Sequence, residues 1–140
     1  MNKSETVRSI MTSQLHTAKA NDSLLKAEQI FEKHHLRHLP VVKGKHLVGI
    51  MSKTDLLKMK FADKFEAEDA SVDLAIFDML QVGHVMHEKV VTIQPDQKIV
   101  EAAQILTTED FNALPVVENN ELVGIVTSTD IMRYLLKIMS

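Results

Sequence analysis

An internal duplication constrains this chain more than any other feature. Displaced by 75 residues, Val7–Lys60 aligns with Val82–Leu135 without a gap, and 16 of the 54 paired positions are identical. The identities fall in ordered blocks. Leu39-Pro40-Val41-Val42 meets Leu114-Pro115-Val116-Val117, Leu47-Val48-Gly49-Ile50 meets Leu122-Val123-Gly124-Ile125, and Thr54-Asp55 meets Thr129-Asp130. Upstream, Met11 meets Met86, Thr17 meets Thr92, and Ala27, Gln29 and Ile30 meet Ala102, Gln104 and Ile105. Self-similarity at a fixed period means one supersecondary unit used twice. A unit of about 60 residues buries too little surface to be comfortable alone, so the two copies are expected to share one compact module.

Each copy predicts the order strand, helix, strand, strand, helix. A short extended piece near Thr17 or Thr92 leads into a polar turn, where Asn21 or Asp96 is placed to cap a helix. Apolar residues at Leu24, Ala27, Ile30 and Phe31, and at Ile99, Ala102, Ile105 and Leu106, then recur with the helical period. Two apolar runs come next, Leu39–Val42 and Leu47–Met51 in one copy and Leu114–Val117 and Leu122–Val126 in the other. Their short polar connections suit hairpins. A second helix is expected from about Lys53 and about Ser128. The fold class is therefore α/β in the mixed α+β sense, two pseudo-symmetric β-α-β-β-α repeats. The expected division is 1–60 and 82–140, joined by a helical, packed linker over 61–81, where Phe61, Phe65, Val72, Ile76, Phe77 and Leu80 stand without Gly or Pro.

Bulk properties remove several function classes. Net charge is −3 with dispersed Lys and Arg, so the basic stripe of a nucleic-acid binder is missing. There is no cysteine, which excludes disulfides, thiolate metal sites and a Cys nucleophile. No apolar run approaches the length of a membrane span, and residues 1–5 open no signal peptide. A soluble, cytoplasmic protein is expected. His34 and His38 have i,i+4 spacing, but the helix should end near His35, so a metal site is not expected. Ser52, His38 and Asp55 supply the residue types of a hydrolase without its nucleophile elbow, and no enzyme is expected.

The chemically suggestive segments are Gly49-Ile-Met-Ser52-Lys-Thr54-Asp55 and Gly124-Ile-Val-Thr127-Ser-Thr129-Asp130. In each, a strand ends, a hydroxyl residue comes next, and an Asp stands three residues later. Two readings stand side by side. The structural one is a capping box, with Ser52 or Thr127 at the N-cap and Asp55 or Asp130 answering from N3. The functional one is a nucleotide site. There the helix N-terminus and hydroxyl meet phosphate, the carboxylate accepts from ribose hydroxyls, and Gly49 or Gly124 lets a flat ring approach the strand.

Together these segments resemble the tandem CBS domain pair, the family named for cystathionine β-synthase. The resemblance rests on Val7-Arg-Ser-Ile-Met11-Thr12 and Val82-Gly-His-Val-Met86-His87, on the two Leu-Pro-Val-Val strands, and on the two Gly-to-Asp turns. His87 departs from the Thr usual at that position. The resemblance covers about residues 7–140 and implies a stand-alone regulatory module. Such a module binds AMP, ADP, ATP, S-adenosylmethionine or NAD in inter-repeat clefts, with no required cofactor and no catalysis.

Carried over by position, the first site is Thr17, Ala18, His38, Leu39, Pro40, Ser52 and Asp55. The second is Thr92, Ile93, Leu114, Pro115, Thr127, Asp130 and Arg133. The Asp residues would hold ribose, Ser52 and Thr127 phosphate, Thr17-Ala18 and Thr92-Ile93 the adenine edge through backbone groups, and the Leu-Pro pairs apolar walls. Arg37-His38 stands where the second copy has Asn112-Ala113. A charged polyphosphate is therefore expected to prefer the first site, with Arg133 as partial compensation in the second. A homodimer and a separate target protein are also implied. The alternative is a ligand-free module for dimerisation or protein docking.

Overall fold

The computed structural model describes residues 5–61 and 77–140. They form two compact units, one from residues 16–90 and the other from residues 1–15 together with 91–140.

In the unit of residues 16–90, α1 spans Leu24–His34 and buries Leu24, Ala27 and Phe31, the stripe the periodicity predicts. Its N-cap is Ser23, whose side chain accepts from Lys26 N. Asn21 does not fill that role, and the neighbouring Asp22 carboxylate instead accepts from Lys19 N. The helix stops where His35 turns left-handed at φ 54°. Strands β1 (His38–Lys43) and β2 (His46–Ser52) pair antiparallel from His38↔Ser52 to Lys43↔His46, with a register shift at Val41/Val42. Gly44 makes the turn at φ 64°, a conformation that costs glycine little. Ala18 joins one edge by a parallel bridge to Val41, and His87 joins the other by an antiparallel bridge to Ile50. Helix α2 (Lys53–Phe61) continues directly from β2, and one helical turn, α3 (Val82–Val85), precedes the His87 edge. Phe31, Leu39, Val41, Met51, Leu56, Phe77 and Val82 close the core.

The other unit repeats this plan. A 3-10 turn at Val7–Ser9 takes the place of α3. Helix α4 (Ile99–Thr108) buries Ile99 and Ala102, and Ile105 and Leu106 pack on the same core. Its first turn comes after Lys98 with no side-chain cap. Asp96 lies too early to serve as one and instead faces Arg8 at 3.5 Å. Strands β3 (Ala113–Glu118) and β4 (Glu121–Thr127) pair in the same register with the same shift, at Val116/Val117. Asn119 and Asn120 both take positive φ, 54° and 64°, the requirement of a type I′ hairpin turn. Helix α5 (Ser128–Met139) completes the unit. Ile93 bridges Val116 in parallel, and Thr12 bridges Ile125 antiparallel.

The sequence repeat and the compact unit thus divide the chain differently. Each hairpin is edged by the Met-containing segment that belongs, by sequence, to the other copy. Val7 N–H donates to Gln97 O, Ile99 N–H to Glu5 O, and Arg8 pairs with Glu118 at 2.7 Å. The expected linker helix falls mostly on residues 62–76, outside the described residues. Among its described part, residues 77–79 are helical and Phe77 is buried, with Leu80 packed beside it. Among the described residues, no helix is long and apolar enough to cross a membrane.

The edging segment is also what approaches the two strand glycines. A Cβ at Gly49 would lie 2.6 Å from Met86 Sδ and 3.0 Å from His87 O, and one at Gly124 2.7 Å from Met11 Sδ and 3.1 Å from Thr12 O. The space expected to admit a flat ring is occupied by a methionine and a backbone carbonyl. Overpacking of this kind costs about 1–3 kcal/mol. Gly124→Ala is accordingly expected to lower stability by about that amount in urea unfolding, and an unchanged midpoint would mean that Met11 gives way freely.

Candidate functional site

The site residues gather where β2 runs into α2 and where β4 runs into α5. At the first junction Asp55 N–H donates to Ser52 Oγ (3.0 Å) and Ser52 N–H to Asp55 Oδ2 (3.4 Å). At the second, Asp130 N–H donates to Thr127 Oγ1 (3.1 Å) and Thr127 N–H to Asp130 Oδ2 (2.9 Å). Both capping boxes are therefore built, which satisfies two otherwise orphaned donors at each helix start. The hydroxyls are engaged in holding a helix N-terminus. In each box the other carboxylate oxygen, Oδ1, has no hydrogen-bond donor among the described residues.

The hairpin register brings the residue before Leu-Pro to the same place. His38 pairs with Ser52 and Ala113 with Thr127. The preceding carbonyls hold the helix starts, Arg37 O accepting from Lys53 N and Asn112 O from Ser128 N. Leu39 and Leu114 are fully buried in the cores of their own units, so they support the junctions from beneath and expose no wall. Pro40 and Pro115 are buried beside them. Ala18 and Ile93 have both backbone groups engaged. Ala18 N–H donates to Pro40 O and its carbonyl accepts from Val42 N, and Ile93 does the same with Pro115 and Val117. Thr17 is half-buried and Thr92 exposed, each one residue outside these ladders.

The two junctions differ in charge. At the first, burial and then the Arg37 guanidinium hold the His38 imidazole below its ordinary pKa, against the pull of the Asp55 carboxylate. His38 is therefore weighted toward its neutral form, which leaves the Arg37 guanidinium as the cation beside this junction. Burial alone would raise the Asp55 pKa. Hydrogen bonds from Ser52 and from His87, whose Nε2 lies 2.9 Å from Asp55 Oδ2, outweigh that and hold it below the ordinary carboxylate value.

At the second junction Asp130 borders a cavity of about 790 Å³, within the size range of small-ligand sites. Arg133 and Lys137, one turn apart on α5, bring two cations to it, and Glu5 a second carboxylate. Neither cation has an ion-pair partner among the described residues. Thr6, Ser9 and Tyr134 add hydroxyls, and Ile10 and Ile138 add apolar surface. The Tyr134 hydroxyl is buried with no hydrogen-bond partner among the described residues. The nearby Glu5 carboxylate, and burial after it, still raise its pKa.

Glu5, Thr6, Ser9, Ile10, Tyr134, Lys137 and His87 are absent from the residues expected by sequence. The Arg133–Lys137 spacing was readable on a helix. The N-terminal four were not, because they belong to the first copy by sequence and pack on the second. Among the described residues, no group of three or more His, Asp or Glu could hold a metal ion, and His34 stacks on His16 with ring centroids 3.6 Å apart.

The depressed His38 value has a stability consequence. Above the ordinary histidine pKa both folded and unfolded chains hold His38 neutral. As pH falls below it the unfolded chain takes the proton first, so stability declines until the lower folded value is passed. The thermal midpoint is expected to fall between about pH 7.5 and pH 5, and less steeply in His38→Gln. The slope does not vanish in that variant, because burial and then His16 depress His34 as well. Equal slopes in the two proteins would remove His38 from this account.

Comparison with known proteins agrees with this architecture. The CBS domain family model matches residues 7–61 and 82–137. The Methanocaldococcus jannaschii protein MJ1225 is 27% identical over 96% of this chain and 48% of its own length. The chain spans about half or less of the first curated relatives it matches. The Bacillus subtilis CBS domain-containing protein YhcV is 26% identical over 89% of this chain and 81% of its own. Among solved structures, CBSX2 in complex with AMP superposes with a TM-score of 0.79 at 27% identity, covering 97% of this chain and 99% of that one. CBSX2 is from Arabidopsis thaliana. The CBS domain pair of MJ0100, in complex with 5′-methylthioadenosine and S-adenosylmethionine, gives 0.77 at 27%, covering 95% and 97%. Two matched repeats, spanning well over half the residues and folded as in these structures, make the chain a member of the CBS domain family.

Proposed function

We propose that this chain is a regulatory sensor of a phosphate-bearing adenosine ligand, AMP, ADP or ATP, and that it performs no catalysis. The observation that carries the reading is the cavity at Asp130, where two carboxylates, Asp130 and Glu5, and two cations, Arg133 and Lys137, border one space. In this reading Asp130 Oδ1 accepts from the ribose hydroxyls and Arg133 and Lys137 meet the phosphates. The start of α5 adds its positive dipole end. Adenosine ligands in CBSX2 and MJ0100 support the ligand class. The paired cations favour phosphate over a sulfonium ligand. The remaining residues of the second set, Thr92, Ile93, Leu114, Pro115 and Thr127, then serve as the frame. Such ligands place the protein in the cytoplasm.

A second face of α5 supports a partner. Met132, Leu136 and Met139 are exposed and fall on one side of the helix, about a third of a turn from Arg133 and Lys137. We assign this stripe to a homodimer contact, with the regulated target as a separate protein. A ligand acts on that target only as far as it binds two arrangements of the module unequally.

Thermal unfolding with AMP, ATP or S-adenosylmethionine tests the ligand assignment. Ligand at about 100 times its dissociation constant adds about 2.7 kcal/mol, on the order of 3–5 °C for a chain this size. The shift is expected with AMP or ATP, and to be lost in Asp130→Ala when each variant is compared with its own ligand-free midpoint. Arg133→Gln should reduce it more for ATP than for AMP. No shift with any of the three would leave the exposed α5 stripe, and with it protein docking, as the function.

A further inference from the structure

The two Asp sites differ at one position that the repeat itself makes comparable. His87 stands where the first copy has Thr12. The two residues do the same backbone work. Thr12 exchanges both hydrogen bonds with Ile125 (2.8 and 3.0 Å), and His87 exchanges both with Ile50 (2.9 and 3.0 Å). Only the side chains part company. His87 Nε2 sits 2.9 Å from Asp55 Oδ2, whereas the Asp130 carboxylate has no side-chain hydrogen-bond partner among the described residues. The Asp55 carboxylate also sits further from its own box, 3.4 Å from Ser52 N against 2.9 Å for the Asp130 pair. Asp55 is also near enough to His38, which lies across the register from Ser52, for its charge to act on that imidazole. An imidazole N–H on the carboxylate is the same kind of donor that a ribose hydroxyl would be.

We propose that His87 is a built-in occupant of the Asp55 site: bonded to Oδ2, it already pairs the carboxylate that the ribose hydroxyls would meet through Oδ1. The chain then takes one adenosine ligand tightly, at Asp130, and a second at Asp55 only when His87 is displaced. The inference rests on the ligand reading given above and adds which of the two sites works. His87 is exposed over 63% of its side chain, so it can swing away without disturbing the core. The hydrogen bond that must be broken weakens the Asp55 site by about tenfold, the scale of one charge-assisted bond. This reverses the order of preference expected from Arg37-His38.

Isothermal titration of the full chain with AMP, ATP and S-adenosylmethionine, using the first that binds, tests the proposal. The wild type is expected to show one tight site, lost in Asp130→Ala. His87→Thr, which restores the residue of the other copy, should keep that site and tighten a second by about tenfold. His87→Thr combined with Asp55→Ala should abolish the second site. His87→Ala provides an independent variant should the Thr side chain disturb the bridge. Two equal sites in the wild type would overturn the proposal. So would a His87 variant that is still folded by circular dichroism and yet shows no gain at Asp55, or a loss, which would make His87 a ligand contact instead. Absence of binding by the wild type and every variant overturns the adenosine reading itself, a result distinguishable from failure of the His87 assignment alone.

Discussion

Each unit depends on a close approach between an edging segment and a glycine in the middle of the hairpin's second strand. Met86 lies over Gly49 and Met11 over Gly124, and the next residue along exchanges two backbone hydrogen bonds with Ile50 or Ile125. A side chain on either glycine would hold the segment off the strand and break that exchange. Because the approach is so close, the flexible thioether fills the space under the segment without a void. It also sets where the next residue falls, and that residue, Thr12 or His87, decides what meets the helix start beyond.

In the proposed reading that helix start serves two purposes with one set of atoms. The capping box uses Oδ2 of each Asp and the hydroxyl of Ser52 or Thr127 for structure. The same box aligns the free N–H groups and leaves a carboxylate oxygen for other use. Structural and functional readings of this motif therefore do not compete. Rigid capping would hold an acceptor in place for the proposed ligand. The residues further along each helix, Arg133 and Lys137 on α5 against Lys58 on α2, set the charge around it.

Much of the fold was legible because it is written locally. The helical stripe at Leu24, Ala27 and Phe31, the paired Leu-Pro-Val-Val strands and the hydroxyl-to-Asp spacing each come from short-range periodicity, and duplication supplied a second reading of each. The caps at Asn21 and Asp96 were misplaced by about two residues, since several polar residues precede each helix and only the chain direction selects among them. The site was less legible. His38 reads as a candidate cation by residue type, and although the adjacent Arg37 is visible in the sequence, the burial that counts most against the charge is a tertiary fact. Glu5, Thr6 and Ser9 could not be assigned to Asp130 without knowing that a segment of one copy edges the other.

That exchange of segments bears on how the chain acquires its structure during synthesis. Thr12 leaves the ribosome more than a hundred residues before Ile125, its strand partner, so the earliest segment waits for the latest hairpin. The unit of residues 16–90 is contiguous and can close as soon as His87 has emerged, whereas the other closes last. Contacts so distant along the chain slow folding, because a long loop must be ordered before they return any free energy. Until then Val7, Ile10 and Met11 remain without the core that covers them, and apolar surface exposed in this way favours aggregation.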